Sequence, residues 1–140
     1  MENYIGVKNI KAEPMTRLEY NFYRGWVLPK DENGSDEGYL VEYINGGESN
    51  HIDHKGYISW SPKAVFEKAY KNIEETLGAE RTSYKFNPSG FGSVDELKSL
   101  GAYLINKVET FRNDDNAREV ELAQTKIEEG IMFAVKAIFK

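Results

Sequence analysis

A chain of 140 residues with 40% hydrophobic and 29% charged residues has the make-up of one small globular domain or two joined halves. Its formal net charge of -5 argues against a general duplex-DNA binder, whose affinity comes from many Lys/Arg–phosphate contacts. The absence of cysteine excludes disulfides, thiolate zinc sites and cysteine nucleophiles, and no apolar run approaches the roughly 20 residues of a membrane span.

The opening residues Met1 to Tyr4 lack the basic and apolar regions of a signal peptide, so a cytoplasmic protein is expected. Tyr4 to Ile10 alternates imperfectly and reads as a first strand that Pro14 ends. Thr16 followed by Glu19 fits a capping box and predicts a short helix from Thr16 to Tyr23. The polar stretch from Pro29 to Gly38 is a surface loop.

Gly38 to Ile44 and Tyr57 to Trp60 are dense in aromatic and β-branched residues and read as two strands of a hairpin with a long polar tip. Ser61 and Pro62 mark a helix start, Ser61 as cap and Pro62 as first helical residue, with Val65, Phe66, Ala69 and Ile73 on one side. Gly78 is expected to break this helix. Arg81 to Gly92 then reads as extended or looped. Ser93 with Glu96 predicts a second capping box, opening a helix to about Phe111 with an apolar stripe of Val94, Leu97, Leu100, Leu104 and Val108. Asn113 to Asn116 breaks it. A last helix from about Ala117 carries Ala117, Val120, Ala123, Ile127, Ile131, Ala134, Val135 and Ile138 as its buried stripe. Two helices joined by a short polar turn pack as an antiparallel hairpin. The expected fold is α+β, a β-rich half over residues 1–78 and a loop plus α-hairpin over 79–140, joined in one compact domain.

Catalytic chemistry is sparse. His51 and His54 stand three residues apart in a polar loop, where Asp53 and Glu48 are conceivable further ligands; without a helix or an apolar shell the pair reads as a solvated loop and no metal is expected. Glu128 and Glu129 read as a helix face, and no nucleophile elbow, phosphate loop or zinc-protease motif is present.

Binding chemistry is richer. Gly90-Phe91-Gly92-Ser93 runs into a helix N-terminus and reads either as an anion seat or as a plain turn with its cap. Tyr84, Phe86 and Phe91 lie beside Arg81 and Lys85, a mixture suited to base stacking near phosphates, although aromatics are commonly core. Arg112 suits the negative end of its own helix, and Arg118 suits surface pairing with Glu121, Asp114 or Asp115. Arginines that converge in a protected pocket grip phosphate even in an acidic chain.

The segments Ala12 to Thr16, Glu19 to Asn21, Tyr23 to Trp26, Glu37 to Tyr43, Tyr57 to Lys63 and Val65 to Tyr70 resemble a recurrent phage and prophage protein family. Arg118-Glu119, Ala123, Thr125-Lys126, Glu128-Glu129 and Ala134 to Ala137 look like a helical phage module often fused to it. Together they are similar to the Thoeris anti-defence 1 family. That resemblance implies a sponge acting in the cytoplasm of the infected bacterium. Such a protein sequesters cyclic ADP-ribose isomers (glyco-cyclic ADP-ribose) made by TIR enzymes without cleaving them, and needs no cofactor. It implies a homodimer that can build hexamers, and in some members separate sites for the cyclic trinucleotides of CBASS immunity. On that basis Phe86, or failing it Phe91, is expected to stack on adenine and Asn87 to read a base edge. Arg112, Arg118 and Lys126 are expected to meet the phosphates, with Thr125 hydrogen-bonding nearby. The rivals are an enzyme that cleaves the signal and an inhibitor that binds a host defence protein.

Overall fold

Thr16 and Glu19 satisfy each other's orphan groups: the Thr16 hydroxyl accepts from the Glu19 amide, and the Glu19 carboxylate accepts from the Thr16 amide at 2.7 Å. This capping box starts α1 (Arg17–Tyr23) as its spacing requires. The computed structural model describes residues 1–140, which form two compact units, Met1–Lys71 and Asn72–Lys140.

In the first unit, β1 (Lys11–Pro14), β2 (Gly38–Tyr43) and β3 (Tyr57–Pro62) form an antiparallel sheet in that order. The first strand lies later than its pattern suggests. The ladder begins with Lys11 opposite Glu42, and Tyr4 and Ile5 are exposed. Tyr20, Leu40 and Ile58 make the core, with Met15, Tyr23 and Trp60 packed against it. The long hairpin tip is fixed by side chains. The Asn50 amide accepts from Ile58 N–H at 2.8 Å and donates to Ile58 C=O at 2.9 Å, standing in for a strand partner. Glu42 accepts from the amides of Lys55 and Gly56.

The next helix, α2 (Lys63–Ala69), has Pro62 at its cap position and no side-chain cap. Ser61 remains in the ladder opposite Tyr39, so it does not serve as the expected cap. Ala69 ends the helix, leaving Ile73 outside it and Val65 exposed. Phe66 stacks between Tyr39 and Tyr70.

In the second unit Gly78 is no breaker. It lies inside α3 (Leu77–Arg81), capped by Thr76, with its bare Cα against the next helix; a Cβ there would come within 2.1 Å of the Ala102 carbonyl oxygen. Asn106 accepts from the Gly78 amide and donates to the Thr76 hydroxyl, fastening α3 to its neighbour.

That neighbour, α4 (Gly92–Glu109), begins one residue before Ser93, so Ser93 is inside the helix and the expected capping box does not form. Its buried side holds Val94, Lys98, Ser99, Gly101, Ala102 and Ile105, whereas Leu100 and Leu104 are exposed. The predicted stripe is rotated because close approach selects small residues: Ala102 meets Gly78, and Gly101 meets Ile131 of α5 (Ala117–Ile138). On α5 the expected stripe is largely in place, Val120 buried and Ile127, Ile131 and Ala134 half-buried, although Ile138 is exposed. The two long helices pack as the expected antiparallel hairpin, and the fold is α+β. No helix is long and apolar enough to cross a membrane.

Candidate functional site

The polar residues of α5 that fall on its inner side, Glu121, Gln124, Thr125 and Glu128, are spaced by three and four residues, so they form one row. Arg81, at the end of α3, reaches across that row. Its Nε donates to Glu128 at 2.8 Å, one Nη to Glu121 at 3.2 Å and to Gln124 at 3.1 Å, and the other Nη to the Thr125 hydroxyl at 3.0 Å. Hydrogen bonding to Glu128 above all holds this guanidinium further into its charged range.

Arg112, just beyond α4, reaches the same row from the side. It grips Glu109 with a fork at 2.8 and 3.0 Å and donates to Glu121 and Gln124, each at 3.3 Å. Its remaining contact is the Ala117 carbonyl on α5, so its donors go to the Glu109 side chain and across the hairpin and not to the carbonyls ending its own helix. Arg112, then Gln124, hold the Glu109 carboxyl below the usual carboxylate range. Gln124 is 0% exposed; its oxygen accepts from both arginines while its amide donates to Glu109 and to the Ile105 carbonyl.

A second feature is a depression of about 580 Å³ beside α3, within the size range of small-ligand sites. Leu77, Ala79, Tyr84, Lys85 and Phe86 line it. Two rim residues, Glu75 and Ser83, hold φ of 54° and 50°, a left-handed backbone that non-glycine residues seldom adopt and that concentrates at binding sites. Phe86 is 67% exposed, with the Lys98 ammonium 5.7 Å from its ring centre and bonded to its carbonyl.

The other expected site residues are dispersed. The Asn87 amide donates to the Phe91 carbonyl and to Asp95, while its oxygen accepts from Ser89. It builds the turn into α4. With Asp95 in the first turn of α4 as well, the Gly90–Ser93 stretch is a self-satisfied turn. Phe91 is exposed and stacks on Phe139, its ring centre 5.6 Å away. Arg118 is exposed without hydrogen bond or ion pair, so the expected pairing with Glu121, Asp114 or Asp115 does not form. Lys126 is exposed and pairs with Glu129. Phe91 and Arg112 lie beyond opposite ends of α4, whose 18 residues span about 27 Å at about 1.5 Å per residue. One cyclic dinucleotide-sized ligand cannot touch both within a single protomer.

The histidine loop of the first unit is not a solvated one. His54 bridges Glu42 at 3.1 Å and the Tyr23 hydroxyl at 2.9 Å, and His51 stacks on the Tyr23 ring at 4.4 Å. These contacts tie the hairpin tip to α1. No group of three or more His, Cys, Asp or Glu residues is arranged to hold a metal ion.

Sequence reasoning placed Arg81 near the aromatics but missed it as a hub. The available signal was Gln124, a polar residue in the middle of an apolar helical stripe, because a buried amide requires partners.

Residues 78–139, nearly the whole second unit, match the family model described as Acb2/Tad1, hairpin domain. The resemblance to Thoeris anti-defence 1, which is Tad1, therefore holds over this half. No curated protein and no solved structure matches the chain.

Proposed function

We propose, from the membership of residues 78–139 in the Acb2/Tad1 hairpin-domain family, that this protein is an anti-defence sponge that captures a cyclic ADP-ribose-type signal, glyco-cyclic ADP-ribose, and holds it intact. The family match is the observation that carries the reading. It falls on the unit that also contains the aromatic depression and the paired arginines. Capture silences Thoeris immunity in the cytoplasm of the infected bacterium, and cyclic trinucleotides of CBASS are candidate second ligands.

Phe86 is the adenine platform, with Phe91 the alternative. Its exposed ring, next to a cation, offers a stacking face worth about 1–3 kcal/mol per base. Arg118 and Lys126 supply exposed positive charge, while Arg112 and Thr125 are engaged in the network on α5 and Asn87 in its turn. The distance between the aromatic and cationic ends favours a homo-oligomer. An antiparallel second hairpin brings one copy's Phe91 end to the other's Arg118 end. Exposed Leu100, Tyr103 and Leu104 of α4, with Phe111 just beyond it, are the apolar surface for such a contact.

Stoichiometric sequestration calls for nanomolar affinity, about -12 kcal/mol. The test is to incubate the protein with glyco-cyclic ADP-ribose, heat it, and identify the released molecule by mass spectrometry. Intact signal is expected; a ring-opened product identifies an enzyme, and no captured nucleotide refutes the sponge. Arg118→Ala is expected to weaken capture at least tenfold in calorimetry while leaving stability within about 0.5 kcal/mol of the parent, because the side chain is exposed and makes no hydrogen bond or ion pair.

A further inference from the structure

Arg81 and Arg112 come from opposite sides of the hairpin, yet share two partners. Gln124 gives one oxygen to both. Glu121 gives one oxygen to each: Oε1 to Arg81 at 3.2 Å and Oε2 to Arg112 at 3.3 Å.

These two partners have opposite characters. Gln124 is fully buried and bonded on every side, so it is a fixed part of the frame. The Glu121 side chain is 59% exposed and bonds to nothing except the two guanidinium groups. The Arg81 side chain, by contrast, is only 16% exposed and keeps Glu128, Gln124 and Thr125 if Glu121 leaves. Arg112 likewise keeps its fork on Glu109. The frame that holds the two cations in place does not depend on the carboxylate that bridges them.

A carboxylate spanning two guanidinium groups with one oxygen apiece has the same hydrogen-bonding topology as the two non-bridging oxygens of a phosphodiester. Each is a monoanion. Exchanging one for the other leaves the two arginines facing three negative groups, as before, and so incurs no new charge imbalance. Because Glu121 is exposed, water receives it when it swings away, and the exposed ion pair it gives up is a weak one.

Resting on the sponge reading of this unit, we propose that Glu121 is an internal stand-in for a phosphate group, and that a phosphate or phosphodiester of the captured signal enters by displacing it from between Arg81 and Arg112. Arg81 is then a ligand-binding residue and Glu121 a built-in competitor. The competitor keeps two close cations neutralised in the empty protein and sets a threshold that weak anions do not pass. Thr125, on the second amino group of Arg81, positions that guanidinium.

The experiment is calorimetric titration of the full-length protein with inorganic pyrophosphate and, separately, with glyco-cyclic ADP-ribose, at fixed ionic strength, alongside melting curves. Glu121→Gln removes the competing charge while keeping the shape, and is expected to bind pyrophosphate about tenfold more tightly than the parent. Arg81→Lys keeps the charge but loses the fork, and is expected to bind about tenfold more weakly. Glu121→Asp, too short to bridge both groups, is expected to fall between parent and Glu121→Gln. If Glu121 were only a brace, Glu121→Gln would melt earlier and gain no anion affinity; that result overturns the exchange. Should the parent capture glyco-cyclic ADP-ribose while Glu121→Gln changes neither probe, the exchange is overturned and the sponge stands. Should Glu121→Gln tighten pyrophosphate while no cyclic nucleotide is captured, the exchange stands and the sponge falls.

Discussion

At Gly78 a single missing carbon allows α3 to lie directly on the Ala102 carbonyl. Gly78→Ala forces backbone against backbone, which a side-chain rotation cannot relieve, so it is expected to destabilise the protein by about 1–3 kcal/mol in urea unfolding. An unchanged midpoint would show that α3 moves off α4 at no cost. Gly101 makes the contrasting case: a Cβ there meets side chains, chiefly that of Ile131, and not backbone. Glycine in the sequence suggested a break at position 78, and the structure uses it for contact. Gln124 was equally legible as an anomaly, a polar residue in an apolar row, but its partners come from α3, α4 and the segment after α4. No local pattern identifies them.

Among the elements, α1 was readable because its determinants lie within four residues. Thr16→Ala removes the hydroxyl that accepts the Glu19 amide and is expected to cost about 1 kcal/mol in thermal unfolding. One carboxylate ties several parts of the hairpin tip together. The Gly56 amide first, then His54, hold the Glu42 carboxyl below its ordinary value of 4.5. A carboxyl whose pKa is lowered on folding stabilises the fold above its unfolded value and loses that contribution as pH falls through the folded one. Stability is therefore expected to decline below about pH 4.5, and Glu42→Gln to flatten that decline in melts recorded from pH 7 to 3. An identical slope in the variant would assign the acid sensitivity to other carboxylates. The α4 stripe shows where element-scale reading went astray. Helical periodicity marked Leu100 and Leu104 correctly as one face, yet packing buried the neighbouring face of Gly101, Ala102 and Ile105. Helices that approach closely need small residues at the contact, so the larger leucines were left outside.

For the molecule as a whole, that displaced stripe has a consequence. Leu100, Tyr103 and Leu104 are exposed along α4 and Phe111 just beyond it, and such a face on a small acidic protein is the surface expected to join copies. Leu104→Glu places a charge in its middle. Sedimentation velocity is expected to show the parent as a dimer or larger and Leu104→Glu shifted toward monomer, with helical content retained. A parent that remains monomeric throughout would remove the shared-site account of how an aromatic end and an arginine end, at opposite ends of an α4 about 27 Å long, act on one ligand.

The sequence by itself determined whatever rests on short-range chemistry: the Thr16 capping box, the strands at Gly38 and Tyr57, the α-hairpin with its polar turn, and the family resemblance of the second half. Each depends on neighbours within a turn or two, or on a pattern long enough to be distinctive. Tertiary structure alone decided which face of α4 is buried and that Arg81 meets Arg112 through Glu121 and Gln124. Those outcomes depend on how closely helices distant in sequence approach and on which polar groups are then shut away from water. Neither is written in the spacing of residues along one strand or helix.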